Sequence, residues 1–260
     1  MPEKTTHSPS IKDITDSAWK KLSEKTIYFG HQSVGFNIID GIKDVMKENP
    51  QIKLNIVETN DPSEFNTHLF AHSKVGKNMD PKSKIDAFAN FMEKGIGEKT
   101  DIAFFKFCYV DITAGTDIDK VFDDYKSTMA RLKGIFPEMR FIHTTVPITF
   151  KPTGIKGWIR KGKNLIKKII GRPVFDYLDN VNRNRFNEMV RKEYNGKEPI
   201  FDLAKIESTF PNGTRSSFIK DGKTYYSLVS DYTHDGGHLN EKGRKIIAEQ
   251  LLIFLAGLCQ

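Results

Sequence analysis

The chain has 260 residues and a formal net charge of +7 at pH 7, a length that favours one α/β domain over two small ones. Its 38% hydrophobic and 28% charged residues, with no long blocks of like charge, are typical of a globular protein and exclude a disordered chain. Eight basic residues and no acidic one lie within 151–173, so the remainder has a formal charge of 7 minus 8, or −1. A nearly neutral remainder argues against a nucleic-acid-binding surface.

The two cysteines, Cys108 and Cys259, imply no disulfide framework. The first residues are polar and lack the apolar core of a secretory signal, and no apolar run reaches transmembrane length. We therefore expect a cytoplasmic protein as the chain is written, or an extracytoplasmic one if a signal has been removed. No cofactor is expected.

Hydrophobic periodicity predicts strands that alternate with helices. After a polar tail over 1–14, a single domain is expected over 15–260. The five predicted strands span 25–29, 54–57, 102–107, 140–146 and 199–203. The predicted helices span 34–49, 85–92, 118–135, 175–194 and a segment that begins at Asn240, with a hairpin over 218–228. This alternation predicts a parallel sheet covered on both faces, with functional residues just after the strands.

Ser33 stands between the first predicted strand and the first predicted helix, in the segment Tyr-Phe-Gly-His-Gln-Ser-Val-Gly at 28–35. A helix N-terminus favours developing negative charge, so this place suits a nucleophilic hydroxyl. The flanking Gly30 and Gly35 are expected to let a substrate approach the backbone. On this segment alone, a plain helix N-cap is the alternative interpretation of the serine.

A second segment, Asp-Gly-Gly-His-Leu-Asn-Glu-Lys-Gly at 235–243, places Asp235 three residues before His238. One loop can therefore supply both a base and the carboxylate that orients it. This segment resembles the last motif block of the SGNH (GDSL-like) hydrolases, a family of esterases. Segment 29–35 looks like a variant of their first block, in which His-Gln replaces the usual Gly-Asp before the serine.

The resemblance implies a fold and a set of catalytic residues. The implied fold is a three-layer α/β/α sandwich around a five-stranded, mostly parallel sheet, the flavodoxin-like SGNH hydrolase fold. By the same resemblance, Ser33 is the nucleophile, His238 is the general base and Asp235 is the partner of that base.

In this family a glycine amide and an asparagine side chain complete the oxyanion hole, together with the amide of the nucleophile. Gly76 is similar in position to that glycine, whereas Val110 stands where the asparagine is expected. We therefore expect the amides of Ser33 and Gly76 to hold the oxyanion, and Asn78 to replace the lost donor in part. Four residues that adjoin these blocks are expected to contact the substrate: His31, Gln32, Lys106 and Tyr109.

Histidine and acidic residues near the C-terminus also fit a metal site. Its ligands would be His234, Asp235 and His238, completed by Asp231 and His31. A metal site leaves the Leu-Asn-x-x-Gly end of the block unexplained, so no metal is assigned.

A basic amphipathic segment, 154–171, lies in an insertion at about 151–173. Three interpretations are open: a surface helix, a cap beside the active site that favours anionic substrates, or contact with an anionic membrane surface. Its position after the fourth predicted strand favours the cap. Two further segments, 180–188 and 201–209, carry amides and charges that suit either a polyol site or solvent.

The predicted reaction is acyl transfer from an ester to water, with a short acyl group on a carbohydrate as the expected substrate class. The same residues can pass the acyl group to a sugar hydroxyl instead. Two alternatives belong to other classes. One is a non-catalytic SGNH-like module that binds an anionic glycan or surface through the Lys-rich segment, and the other is a metal-dependent enzyme.

Overall fold

The structure is a computed structural model that describes residues 10–151 and 177–259. The start of the predicted polar tail, 1–9, and the basic amphipathic segment lie outside the described residues. The end of the predicted tail is folded, because Ile11–Asp13 forms a short 3₁₀ helix and Ile11 is buried in the core. The ordered domain therefore begins before residue 15.

The described residues form eight strands. They are β1 (Ile27–His31), β2 (Ile56–Glu58), β3 (Phe70–Lys74), β4 (Ile102–Phe105), β5 (Arg140–Thr144), β6 (Ile200–Phe201), β7 (Ser217–Lys220) and β8 (Lys223–Tyr226). The first six make one sheet in the order β2-β3-β1-β4-β5-β6, and every pairing in it is parallel. The last two form the predicted antiparallel hairpin.

The sheet has six strands where five were predicted, and β3 is the addition. It lies between the predicted strand 54–57 and the predicted helix 85–92. Its His72 and Ser73 interrupt the apolar pattern by which a buried strand is predicted. Both polar side chains are buried and paired with the neighbouring β1: His72 Nδ1 lies 3.1 Å from His31 Nε2, and Ser73 Oγ lies 2.7 Å from the Tyr28 hydroxyl. The polar residues of β3 are therefore accommodated by partners that lie 41 and 45 residues away in sequence.

Helices cover both faces of the sheet. They are α1 (Asp16–Ser23), α2 (Val34–Glu48), α3 (Pro81–Phe91), α4 (Ile118–Ile135), α5 (Tyr177–Tyr194), α6 (Leu203–Ser208) and α7 (Glu241–Leu258). One core contains residues of α1, α2, α6 and α7, and the other contains residues of α3, α4 and α5. Alternate side chains of β1 enter the two cores, Ile27 and Phe29 on one face and Tyr28 on the other. The architecture is therefore the predicted three-layer α/β/α sandwich.

Helices α2 and α7 pack against each other although about 200 residues separate them. Their backbones meet closely at Gly41, where an added Cβ would lie 2.3 Å from the Arg244 carbonyl oxygen. One turn further on, Arg244 donates to Asp44 at 2.6 Å. This contact matters because α2 begins just after Ser33 and α7 begins just after His238.

Shorter helical turns occur in the connections. They are Pro62–Glu64, Met92–Ile96, Gly97–Lys99 and Ser230–Tyr232. Across the described ranges, no helix combines the length and the apolar character that crossing a lipid bilayer requires.

Candidate active site

Three neighbouring strands, β3, β1 and β4, end at one edge of the sheet. The register pairs His31 with Lys74 and Gly30 with Phe105 at this edge. The loop after β1 therefore lies between the loop after β3 and the loop after β4. Ser33 is in the middle loop, with Gly76 on one side and Tyr109 on the other.

Ser33 occupies the sharp turn between β1 and α2. Its φ of 52° and ψ of −112° lie in a region that L-residues rarely adopt, and such a conformation costs about 1–3 kcal/mol. The turn leaves the side chain at the N-terminus of α2, and the Ser33 hydroxyl makes no capping hydrogen bond there. The N-cap interpretation therefore does not describe the bonding of this hydroxyl.

The Ser33 hydroxyl is hydrogen-bonded to the C-terminal loop. Its Oγ lies 2.7 Å from His238 Nε2, across 205 positions of sequence. On the other side of the ring, His238 Nδ1 lies 2.6 Å from Asp235 Oδ2. The side chains of His238 and Asp235 are about half exposed, at 45% and 52%. The structure thus places serine, histidine and aspartate in a hydrogen-bonded row that opens to solvent.

The turn of the C-terminal loop is built around the Asp235 carboxylate. Its Oδ1 accepts the backbone N–H groups of Gly237 and His238, each at 2.8 Å. Partial burial acts to raise the pKa of Asp235, but the His238 side chain and these two amides outweigh it and lower the pKa to about 2. The carboxylate is therefore ionised throughout the neutral range.

Two contacts fix this loop to the rest of the site. Asn37, one turn into α2, accepts the Leu239 N–H at 3.2 Å. Asn240 caps α7 by accepting the Gly243 N–H at 3.0 Å. The loop that carries His238 is thus tied at its end to the same helix that begins at the Ser33 turn.

Tyr109 is the one residue of the predicted substrate-contacting set whose side chain meets the row. Its hydroxyl lies 3.4 Å from His238 Nε2 and interacts with the Ser33 side chain. Its ring meets the His238 ring edge to face, with centroids 5.7 Å apart. Val110, at the position where the family has asparagine, is packed against the hydrophobic core.

Gln32 holds the loop after β3 in place. Its side-chain amide donates to the carbonyls of Val75 and Gly76, at 2.9 Å and 2.6 Å. Both contacts are made to protein carbonyls, so Gln32 positions this loop. The substrate contact expected of Gln32 stays a prediction. Asn78, further along this loop, is exposed, and its carbonyl oxygen accepts from Lys84 Nζ at 3.0 Å.

The tight fit of Gly76 gives a first prediction. Gly76 has a φ of +55°, and an added Cβ would lie 2.5 Å from the Lys84 nitrogen. We expect Gly76→Ala to lower the free energy of unfolding by about 1–3 kcal/mol, as measured by urea denaturation. Gly115→Ala is the matched control, since nothing lies within 4 Å of its added Cβ. Equal stability of the two variants would contradict the inference that this position requires glycine.

Two of the predicted substrate contacts are corrected by burial. The side chains of His31 and Lys106 have no exposed surface. His31 lies between Phe29, Phe36 and His72, and burial together with the Lys106 charge lowers its pKa to about 2. Burial also lowers the pKa of Lys106. Neither side chain can reach a ligand at Ser33.

The two glycines that flank Ser33 serve packing rather than substrate access. An added Cβ at Gly30 would lie 2.6 Å from a Val75 methyl group, and one at Gly35 would lie 2.3 Å from the His31 ring. Gly30 thus lets the loop after β3 approach β1, and Gly35 makes room for the buried His31. The expectation that they admit a substrate is therefore corrected.

The amide-rich face of α5 supports the site instead of lining a polyol pocket. The Asn180 side chain pairs with both the N–H and the carbonyl of Thr149, at 3.0 Å and 2.6 Å. Arg183 is 1% exposed and donates to the carbonyls of Tyr109 and Ile112, at 2.8 Å and 3.0 Å. These side chains hold the loops after β4 and β5. The polyol-binding alternative for these side chains is therefore not supported, because they bind the protein's own backbone.

Glu207, in the second segment proposed for polyol binding, is also buried. Its Oε2 accepts the Ile148 N–H at 2.9 Å, and burial raises its pKa to about 8. It therefore supports the loop after β5 and is closed to an external ligand.

A buried ion pair behind the site was not predicted. Lys84 Nζ lies 2.6 Å from Asp111 Oδ2, and neither side chain is exposed. Asp111 also accepts the N–H of Met79 at 2.8 Å and that of Cys108 at 2.6 Å. This carboxylate therefore joins the loop after β3 to the loop after β4. A lysine in an amphipathic helix gives no sequence signal for such a contact, because the partner is 27 residues away.

The metal alternative finds no support in the geometry of the described residues. Within 10–151 and 177–259, no three His, Cys, Asp or Glu side chains gather in a way that could hold a metal ion. His31 is enclosed beside His72, and Asp235 and His238 are hydrogen-bonded to each other. These residues do not assemble the alternative metal site.

No protein-family model matches the chain, and a search of curated proteins finds no match. Among solved structures, one that is similar is a provisionally assigned platelet activating factor from Streptococcus pneumonia. It has a TM-score of 0.51 and 9% identity, covering 94% of each chain. Together with the parallel sheet and its two helical layers, this similarity agrees with the expected architecture. The chain has an SGNH hydrolase-like fold.

Two further solved structures are similar to this SGNH-like chain at lower scores. A provisionally assigned lipolytic protein of the G-D-S-L family from Desulfitobacterium hafniense has a TM-score of 0.46 and 10% identity, covering 89% of this chain and 99% of its own. An acetyl esterase variant with a bound acetate ion has a TM-score of 0.47 and 15% identity, covering 90% and 96%. At such identities the likeness concerns the fold.

Proposed function

We propose that this SGNH-like protein hydrolyses carboxylic esters, with Ser33 as nucleophile, His238 as general base and Asp235 as the orienting carboxylate. The observation that carries the proposal is the row of contacts from Ser33 Oγ to His238 Nε2 at 2.7 Å and from His238 Nδ1 to Asp235 Oδ2 at 2.6 Å. Nucleophile, base and orienting group within hydrogen-bond reach are what acyl transfer by a serine requires.

In the proposed mechanism, Nε2 of the His238 imidazole acts as the base. Because the Asp235 carboxylate is ionised, it accepts a proton-bearing His238 Nδ1, which leaves the lone pair of Nε2 facing the Ser33 hydroxyl. As Ser33 Oγ attacks the carbonyl carbon, its proton moves to Nε2 and the carbonyl π electrons move onto the oxygen. When the carbonyl re-forms, the alcohol leaves with the proton from Nε2. Water then repeats the sequence on the acyl-enzyme and releases the acid.

Backbone amides supply the first donors for the oxyanion. The Ser33 amide lies at the start of α2, where the helix dipole favours negative charge. Gly76 lies two residues after β3, the strand that pairs with β1, and its carbonyl accepts from the side chain of Gln32, the residue before Ser33. We propose that the amides of Ser33 and Gly76 hold the oxyanion. The role of Asn78 as an additional side-chain donor stays a prediction from the sequence.

A short acyl group on a carbohydrate is the proposed substrate class. In the described parts of the chain, the large apolar side chains that stay largely exposed are Met79, Ile135 and Ile219. Of these three, Met79 belongs to a loop at the site. Among the described residues, the single exposed apolar side chain at the site suits a small acyl group such as acetyl better than a long acyl chain.

A fluorophosphonate probe tests the catalytic proposal directly. We expect the folded full-length protein to become labelled at Ser33, as located by peptide mass spectrometry, and His238→Ala to lose the labelling. His234→Ala is the matched control, because His234 is an exposed histidine of the same loop without a role in the row. Labelling at other residues, or equal labelling of both histidine variants, would argue against the proposed triad.

The alternative functions predict different results in probe labelling and in activity assays. A folded protein that is neither labelled nor active on an ester panel would support the non-catalytic binding module. Chelator-sensitive activity that survives loss of the Ser33 hydroxyl would support the metal-dependent enzyme. Transfer of the acyl group to an added sugar, measured against hydrolysis, distinguishes an acyltransferase from an esterase.

A further inference from the structure

We propose that the Tyr109 hydroxyl is the side-chain donor of the oxyanion hole, in place of the asparagine used by SGNH hydrolases. This role rests on the proposed ester hydrolysis. The position where the family has its asparagine donor is Val110 in this chain. The Val110 side chain packs against the core and has no hydrogen-bond donor. Tyr109 precedes it in the same loop after β4.

The position of the hydroxyl fits a donor to the reacting group. It lies 3.4 Å from His238 Nε2 and interacts with the Ser33 side chain. Tyr109 approaches Ser33 from the β4 side, while Gly76 is on the opposite, β3 side. An oxyanion formed on the carbon attached to Ser33 Oγ would therefore have donors on both flanks.

The Tyr109 hydroxyl interacts with the Ser33 side chain before a substrate binds, and a charged oxyanion on the carbon attached to Ser33 Oγ would be a stronger acceptor of its proton than the Ser33 oxygen. Neutral His238 has one lone pair on Nε2, and the Ser33 hydroxyl at 2.7 Å is much closer to it than the Tyr109 hydroxyl at 3.4 Å. Burial is the main cause that raises the pKa of Tyr109, to about 12. The phenol therefore keeps its proton at neutral pH and can act as a donor but not as a base.

Packing holds the tyrosine in this position before any substrate binds. The buried Arg183 donates to the Tyr109 carbonyl at 2.8 Å, and its guanidinium carbon lies 5.7 Å from the ring centroid. On the other side, an added Cβ at Gly237 would lie 3.0 Å from the hydroxyl oxygen. The glycine before His238 thus leaves the space that the hydroxyl occupies. Preorganised donors of this kind need little rearrangement during the reaction.

Asn78 is less well placed for the same role. It is exposed, and its amide oxygen is engaged by Lys84 of α3 at 3.0 Å. This contact holds the Asn78 side chain against α3, whereas the Tyr109 hydroxyl lies 3.4 Å from His238 Nε2 and interacts with the Ser33 side chain. The two candidates can be separated by removing one donor at a time.

The test is Tyr109→Phe, which keeps the ring and removes the hydroxyl. With p-nitrophenyl acetate, we expect kcat/KM to fall by about 10²- to 10³-fold, with little change in KM. Inhibition by phenylboronic acid, which forms a tetrahedral adduct on a serine, is expected to weaken in parallel. Tyr225→Phe, on the hairpin strand β8, is the control for loss of a tyrosine hydroxyl elsewhere.

Each outcome decides the role of Tyr109. An active wild type with an unchanged Tyr109→Phe variant, or a loss caused by Asn78→Ala instead, overturns the Tyr109 role and leaves the proposed esterase intact. A change confined to KM, with boronate affinity unchanged, makes Tyr109 a substrate contact and also overturns it. A folded wild type that neither hydrolyses the ester nor takes the fluorophosphonate label removes the proposed function and this role together.

Discussion

Replacing Ser33 with alanine is expected to lower kcat/KM for ester hydrolysis by about 10⁴-fold or more, since the atom that attacks the carbonyl is lost. The fold is expected to persist. Alanine has the same Cβ as serine, so the strained φ of 52° is neither relieved nor made worse. The Ser33 hydroxyl also makes no helix cap whose loss would destabilise α2.

The measurement compares Ser33→Ala with Ser127→Ala in a p-nitrophenyl acetate assay. Ser127 is an exposed serine on α4, whose hydroxyl donates to a carbonyl of its own helix, and its replacement is expected to leave activity unchanged. Circular dichroism and urea denaturation verify that both variants are folded. Full activity of Ser33→Ala would exclude a covalent serine mechanism and direct attention to activated water.

Asp235→Asn is expected to lower kcat by about 10³- to 10⁴-fold while leaving the loop folded. The asparagine oxygen can still accept the N–H groups of Gly237 and His238, as Asp235 Oδ1 does at 2.8 Å. The other oxygen, which accepts from His238 Nδ1 at 2.6 Å, is replaced by an NH₂ group. That group donates to Nδ1 and so favours the tautomer with its proton on Nε2, which cannot take the proton of Ser33.

The neighbouring Asp231→Asn is the matched control. Asp231 is 62% exposed and pairs with Lys242 at 3.4 Å, away from the catalytic row. Its replacement is expected to leave kcat unchanged. If the two asparagine variants lose activity to the same extent, Asp235 has no special part in orienting the base.

The low pKa of Asp235 also fixes the sign of a pH effect on stability. Because its pKa falls from the ordinary value of 3.8 in an unfolded chain to about 2 in the fold, the folded state binds fewer protons than the unfolded state between these values. The stabilising contribution is therefore present above about pH 4 and is lost as the pH falls through about 2. The stability advantage of the wild type over Asp235→Asn in urea denaturation should accordingly shrink as the pH is lowered from about 5 towards about 2.

Tertiary contacts make the separated motif blocks into one site. The Ser33 turn and the His238 loop each lead into a helix, and those helices meet at Gly41 and at the Arg244–Asp44 ion pair. On the other face, the buried Lys84–Asp111 pair joins the loops that carry Gly76 and Tyr109. Contacts between α2 and α7 on one face, and between α3 and the loop after β4 on the other, thus position the nucleophile.

The sequence by itself determined the alternation of strands and helices, the hairpin and the two blocks that carry Ser33, Asp235 and His238. Hydrophobic periodicity is local, and so is the spacing of Asp235 and His238 on one turn of chain. The resemblance of these blocks to the motif blocks of the SGNH hydrolases is what predicts acyl-transfer chemistry.

Only the tertiary structure decided which polar residues are buried and what they contact. The strand β3 was missed because His72 and Ser73 read as solvent-facing, although their partners on β1 make them buried residues. His31 and Lys106 were assigned to the substrate for the same reason, since burial depends on neighbours that are remote in sequence. The periodicity of a segment reflects the polarity of its own residues. A buried polar side chain needs a hydrogen-bonding partner, and a partner that is remote in sequence comes close only when the chain folds.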